Sequence, residues 1–286
     1  MTGADQNRTH PDDRSLLALT VDVEEWYAGM ADRPGDVATY PSRLEEGLSR
    51  LLDLLDATGT RATFFVLGYL AREHPGLIRR VADAGHEMGI HDDYHLPLWD
   101  RNEKDFRESV TRALESVEQC VGAPAGRYRA PCFSVDRRTI WALDVLEDLG
   151  FSFDSSVFPV RNPRYGFPGA PRFPYRAKPG GQLVEFPLST IRIGPVNLPF
   201  SGGFYLRALP TTVVEAGFRR LQTLGLPAVA YIHPWELDPD QPRIAGGLSY
   251  WLRHRVQLGR APAKLEALLR RFRFTTMGNV IETLGV

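Results

Sequence analysis

Cysteine is almost absent from this 286-residue chain, which has only Cys120 and Cys132. Two thiols on separate predicted elements do not make a disulfide framework, and both are expected to be reduced. Long apolar runs are missing as well, since no stretch approaches the roughly 18 residues that a membrane-spanning helix needs. The first fourteen residues, Met1 to Arg14, have no apolar core, which excludes an ordinary secretory signal there. A large charge of either sign is also lacking. Lys and Arg number 34 against 35 Asp and Glu, a formal net charge of -1, so no broad field draws in nucleic acid or an anionic membrane. These absences predict a cytoplasmic protein with a disordered tail over residues 1–14 and a single domain over 15–286. Its partner is expected to be a small neutral or mildly charged molecule; nothing here fixes an oligomeric state.

What the chain does have is an alternation of strand-like apolar runs with stretches of helical period, the pattern of βα units around a parallel sheet. Residues 16–22 form the first predicted strand, and Leu44, Leu48, Leu51, Leu52 and Leu55 mark one face of a helix closed by Gly59. Strands are predicted over 60–67, 86–90, 127–129, 151–154, 183–188 and 228–232, with helices around 77–85, 106–117, 136–149, 211–224 and 263–284. Residues 158–181, rich in Pro, Gly and Arg, are predicted to be a long loop of the kind kept for binding. The fold expected is α/β, a distorted (β/α) barrel of about seven parallel strands.

Polar residues recur where predicted strands stop: Asp22 with Glu24, His91 with His95, Arg129, Asp154 and His233. In a β/α barrel those ends converge on one face, where active sites are built. Two imidazoles four residues apart can face the same way on a helical turn. Two His and one carboxylate form a three-ligand site of the kind that holds zinc and keeps open positions. A remaining carboxylate is then available as a base. Taken singly, an H-x3-H pair or an Asp-x-Glu is common without metal; their shared place at strand ends is what points to a site.

At these residues the sequence resembles the NodB-homology polysaccharide deacetylases, carbohydrate esterase family four, in order from Asp22 to about Glu236. The resemblance implies that Asp22 in TVDVEEW is the general base. Val23 stands where many members carry a metal-binding aspartate, and the departure is similar to an acid-x-acid subgroup associated with exopolysaccharide clusters. By that likeness Glu24 binds the ion, with Asp22 or Glu25 as the substitutes, and His91 and His95 in HDDYH complete the ligand set. RAPCF resembles the motif whose Arg pairs with the base, here Arg129, and whose next backbone N–H, here Cys132, helps bind the oxyanion. Asp154 in FDSS matches an aspartate that supports the catalytic acid or the Arg, and His233 in AYIHPWE matches the histidine that protonates the leaving nitrogen. SGGFYLR and IHPWE further resemble the exopolysaccharide-associated subgroup.

The resemblance thus implies a Zn2+ or Co2+ enzyme that hydrolyses the amide C–N bond of an N-acetylated sugar or saccharide intermediate. Two alternatives share the fold: an allantoinase-like hydrolase of cyclic amides or ureides, and a non-catalytic saccharide-binding module. An iron(II) oxygenase built on the same donor types is disfavoured, because those sit on double-stranded β-helices. Loop aromatics (Tyr165, Phe167, Phe173, Tyr175, Phe204, Tyr205) suit sugar faces and core packing equally. His86 opens its strand at the wrong end, and His10, His74 and His254 read as solvated or structural.

Overall fold

A computed structural model of the chain describes residues 16–28, 40–243 and 254–286. The tail expected over residues 1–14, and His10 with it, lies outside the described residues. Ten strands are described: β1 (Leu17–Val23), β2 (Thr63–Val66), β3 (Glu87–Ile90), β4 (Arg127–Tyr128), β5 (Phe153–Asp154), β6 (Tyr175–Arg176), β7 (Val184–Glu185), β8 (Thr190–Ile193), β9 (Val196–Pro199) and β10 (Ala228–Ile232). The main sheet runs β10-β1-β2-β3-β4-β5-β7-β6. Its first seven strands in that order pair in parallel, and β6 adds antiparallel at the edge. The expected α/β architecture with about seven parallel strands is therefore present.

Seven of seven β1 residues are buried, because apolar layers lie on both sides of the sheet. In β2, Phe64 belongs to the larger core, outside under the helices, while Phe65 belongs to the smaller one with Ala18, Val229 and Phe186. A strand covered on both faces reads as an unbroken apolar run rather than an alternation. That is why LALTVDV and TFFV are so apolar.

Helices cover the outer layer: α1 (Leu44–Ala57), α2 (Gly68–Glu73), α3 (Pro75–Asp83), α4 (Glu103–Val121), α5 (Trp141–Asp148), α6 (Gly203–Ala208), α7 (Thr211–Thr223), α8 (Ala261–Arg271) and α9 (Met277–Leu284). The α1 stripe buries Leu44, Leu48, Leu51, Leu52 and Leu55, as the period predicts. Asn102 caps α4 by accepting the Asp105 N–H, and Gly122 ends it at φ 72°, a left-handed turn that glycine adopts without strain. None of the described helices is long and apolar enough to cross a membrane.

Three expectations differ from the structure. The single helical region over 263–284 is two helices, because residues between them turn inward: Thr275 bridges to Ala18, with its N–H donating to the Leu17 carbonyl and its own carbonyl accepting from the Leu19 N–H. The β8–β9 hairpin has no counterpart in the predicted elements. The 158–181 loop holds β6 and packs inward, with Phe167 and Phe173 against the larger core and Phe158 stacked on Tyr165.

Candidate metal centre and catalytic site

Asp22 is the sixth residue of β1 and Glu24 follows its end, while His91 follows β3, Arg129 follows β4 and His233 follows β10. Parallel strands put all these ends on one rim, so positions up to 211 residues apart in sequence meet. His91 Nε2 and His95 Nε2 each lie 3.1 Å from Glu24 Oε1. The donor atoms of Glu24, His91 and His95 lie within 4.8 Å of one another, and a second group joins Asp22, Glu24 and His233.

The first trio suits a small divalent transition metal. Ligands about 2.0–2.1 Å from a tetrahedral zinc stand roughly 3.3 Å apart, close to the spacing between Glu24 and each imidazole. His91 Nδ1 lies 2.8 Å from the Arg129 carbonyl oxygen. A carbonyl only accepts, so Nδ1 carries the proton and the Nε2 lone pair is left to face the site, as in metal-bound histidines. Glu24 is pulled two ways: burial pushes its pKa up, and His95, His233 and His91 together hold it well below the usual carboxylate range.

Glu25, by contrast, is turned away from the trio. Its carboxylate accepts from the Ser42 hydroxyl and, at 3.1 Å, from the Arg43 N–H at the start of α1. The two acids inside HDDYH also leave the site. Asp92 takes Ser109 at 2.5 Å and the Arg101 guanidinium, and Asp93 takes Arg72 at 2.7 Å and Arg112 at 3.1 Å. These ties anchor the loop that carries the two histidines. Asp92 stands at φ 74°, a left-handed conformation that Asp tolerates better than most residues.

Arg129 organises the base side of the site. Nη1 donates to Asp22 Oδ1 and to Thr20 Oγ1, both at 2.7 Å; Nε donates to the Ser155 carbonyl at 2.9 Å and Nη2 to Ser155 Oγ at 2.8 Å. Its guanidinium also lies 4.4 Å from the centre of the Phe65 ring. Asp22 Oδ2 faces His233 Nε2 at 3.9 Å. Thr20 and Ser155 are partners the motifs did not single out; their only sequence signal is position, one two residues before the base and one after Asp154.

Cys132 and Phe133 stand at φ 56° and 50°, two consecutive left-handed residues directly after Arg129-Ala130-Pro131. Neither Cys120 nor Cys132 forms a disulfide. Asp154 binds the Ser156 hydroxyl at 2.6 Å and its N–H at 3.2 Å, and the same hydroxyl accepts the Ala130 N–H at 2.7 Å. Asp154 thus acts on the backbone between Arg129 and Cys132. It also meets the Glu185 carboxyl in the interior. Burial pushes both acids up, Glu185 well above the usual range.

His233 sits 3.9 Å from Glu24 Oε1 as well as from Asp22, and its Nδ1 lies 3.0 Å from Glu236 Oε2. Burial alone would push its pKa down, but Glu24, Glu236 and Asp22 outweigh that and lift it to about 9. Its ring stacks on Trp235 at 5.3 Å. The other described histidines have partners of their own: His86 Nδ1 accepts the Ala62 N–H, His74 Nε2 lies 3.4 Å from the Ser42 hydroxyl, and the His254 ring packs near Trp235.

With this geometry in place, comparison with known proteins gives two family matches. A profile described as polysaccharide deacetylase matches residues 12–153, and one described as a domain of unknown function (DUF3473) matches residues 155–282. The junction falls between β5 and β7, which pair in parallel, so the sheet continues across it. The peptidoglycan-N-acetylmuramic acid deacetylase PdaA of Bacillus subtilis is 27% identical over 127 residues, 44% of this chain and 48% of the relative. The chitooligosaccharide deacetylase of Sinorhizobium fredii is 35% identical over 97 residues, 34% of this chain and 42% of the relative. The chain spans about half the length of the curated relatives it matches. Among solved structures, a Mycobacterium smegmatis chain described as a polysaccharide deacetylase shares the fold, with a TM-score of 0.67 and 22% identity over 97% of this chain and 93% of the other.

Proposed function

Because the chain belongs to the polysaccharide deacetylase family through residues 12–153, we propose that it hydrolyses the amide C–N bond of an N-acetylated sugar or saccharide. The observation that carries this reading is the convergence of Glu24, His91 and His95 beside an Asp22 clamped by Arg129. In it, Glu24, His91 and His95 hold a divalent transition metal, zinc or cobalt, which supplies Lewis acidity toward the acyl oxygen and the attacking water.

The rest of the chemistry belongs to the chain's own side chains. Arg129 occupies Asp22 Oδ1, which leaves Oδ2 directed at the site to take a proton from the attacking water. The Cys132 N–H donates to the oxyanion that forms as the carbonyl carbon becomes tetrahedral. Asp154, through Ser156, holds the Ala130 N–H and so fixes the short segment that joins Arg129 to Cys132. His233 Nε2 then gives its proton to the departing nitrogen as the C–N bond breaks. Acetate and a free amine are the products.

The partner in this reading is a small-molecule or oligosaccharide N-acyl compound, and residues 15–286 work as one domain, which the sheet's continuity from β5 to β7 supports. A cytoplasmic setting accords with two cysteines that form no disulfide. The test is a mass-spectrometric screen of N-acetylated mono- and oligosaccharides, with ureides alongside and zinc or cobalt added. Loss of the acetyl mass from a sugar is the expected result. Ring opening of a ureide with every sugar untouched would replace this reading.

A further inference from the structure

Two segments, SGGFYLR and the PWE that follows His233, lie outside the metal trio and the base, yet they lock together directly behind that histidine. Glu236 Oε2 accepts from His233 Nδ1 at 3.0 Å and from the His233 backbone N–H at 3.1 Å. Its other oxygen accepts from Arg207 Nε at 2.5 Å. Both Glu236 and Arg207 are buried, at 0% and 1% exposure. Arg207 also donates to the Val256 carbonyl at 3.1 Å and lies over the Trp235 ring at 5.1 Å, the same ring on which His233 stacks.

The backbone explains how Arg207 reaches so deep. Gly202 forms a bridge to Tyr231 in β10, and a Cβ there would stand 2.1 Å from the Tyr231 carbonyl oxygen. Only glycine allows α6 to begin against β10, and α6 then carries Arg207 to the far side of Glu236. The Asp154 side chain, which family likeness offered as a support for the acid or for the Arg, is engaged with Ser156 and Glu185.

We propose that Glu236, fixed by Arg207, is the positioning residue that holds His233 as a proton donor, the part for which Asp154 was a candidate. The inference rests on the deacetylase reading. A carboxylate can only accept, so it keeps a proton on Nδ1 and aims Nε2 at the leaving nitrogen. When Nε2 gives up its proton, Nδ1 keeps its own and the Glu236 bond persists. In Glu236→Gln the side-chain oxygen is claimed by Arg207 Nε, which turns the amide NH2 toward Nδ1. Nδ1 must then accept, so the ring's single proton sits on Nε2 and releasing it would leave an imidazolate; the general acid is disabled by a side chain nearly isosteric with the original. An orienting Asp→Asn change in a catalytic triad acts through the same change of tautomer.

The experiment compares two substrates on metal-loaded protein: the N-acetylated sugar that the screen identifies, whose amine must be protonated to leave, and p-nitrophenyl acetate, whose phenolate leaves without a proton. Glu236→Gln is expected to lower kcat on the amide roughly 10- to 100-fold, the usual range for outer partners of a site, with KM and metal content near wild type. The ratio of amide to ester turnover falls with it. Arg207→Lys should show the same asymmetry in smaller measure, and it decides the matter if Glu236→Gln fails to fold. Equal losses on both substrates, or undiminished amide turnover, would overturn the proposal. Ester cleavage without any amide turnover by the wild type would instead end the deacetylase reading, and this inference with it.

Discussion

Arg129 Nη1 stands 2.7 Å from Asp22 Oδ1, with the arginine 0% and the aspartate 2% exposed, so that a charge pair joins the ends of β4 and β1 in the interior. The pair is surrounded by further acceptors, Thr20 Oγ1, the Ser155 carbonyl and Ser155 Oγ. A buried pair gives little net stability over an apolar substitute, but breaking one side leaves an uncompensated charge. Its value here is orientation of the base.

Replacing Arg129 with Met should therefore damage both properties. Stability is expected to fall by about 3–5 kcal/mol, measured by urea unfolding, and kcat should fall about 100-fold or more in the folded fraction. Asp22→Asn keeps the shape and separates the two effects: bound metal stays near one equivalent by elemental analysis, while deacetylation is lost. Loss of metal in Asp22→Asn would exchange the roles given to Asp22 and Glu24.

Removal of the ion tests the trio directly. Chelation should abolish turnover, and added zinc or cobalt should restore it. Glu24→Gln and His95→Ala should each lose metal in equilibrium dialysis at concentrations where the wild type is saturated. Undiminished turnover by metal-free protein would sink the proposed chemistry.

Glu185 gives a prediction about protonation. Burial beside Asp154 raises its pKa well above the ordinary carboxylate value, so the folded protein keeps a proton that the unfolded chain releases once pH exceeds the usual range near 4.3. Stability is consequently lost as pH rises through that window. Glu185→Gln mimics the neutral acid, and its midpoint in urea should improve relative to wild type between pH 4 and pH 7. Glu185→Ala should instead cost about 2–4 kcal/mol by opening a cavity.

His86 predicts the acid side. Burial, with Arg61 nearby, pushes its pKa down to about 4, and Nδ1 accepts the Ala62 N–H at 3.3 Å, a bond that protonation of that nitrogen destroys. The unfolded chain takes up the proton near 6.5 and the folded protein near 4. Stability is thus complete above 6.5 and is lost as pH falls from there through 4. Urea midpoints at pH 7 and pH 4.5 should differ less in His86→Asn, whose side-chain oxygen can still accept the Ala62 N–H.

Much of the fold was legible because a parallel sheet covered on both faces writes itself as apolar runs, and the helices between write themselves in stripes such as Leu44, Leu48, Leu51 and Leu55. The β8–β9 hairpin was missed because strands of four residues with mixed exposure carry little periodicity. Phe272 to Thr276 looked helical because nothing local marks the inward turn that lets Thr275 join β1.

The sequence by itself determined which residue types stand at the strand ends, and therefore that Asp22, Glu24, His91, His95, Arg129 and His233 share one rim, since parallel strands bring their C-terminal ends together. Only the tertiary structure decided which way neighbouring acids point. Glu24 turns inward while Glu25 reaches the start of α1, Asp92 and Asp93 tie down their own loop, and Glu236 takes the place behind His233 where Asp154 was a candidate. The reason is physical: a buried carboxylate settles where donors converge on it, and those donors, Ser42, Arg101, Arg72 and Arg207, come from elements whose placement no local pattern in the chain records.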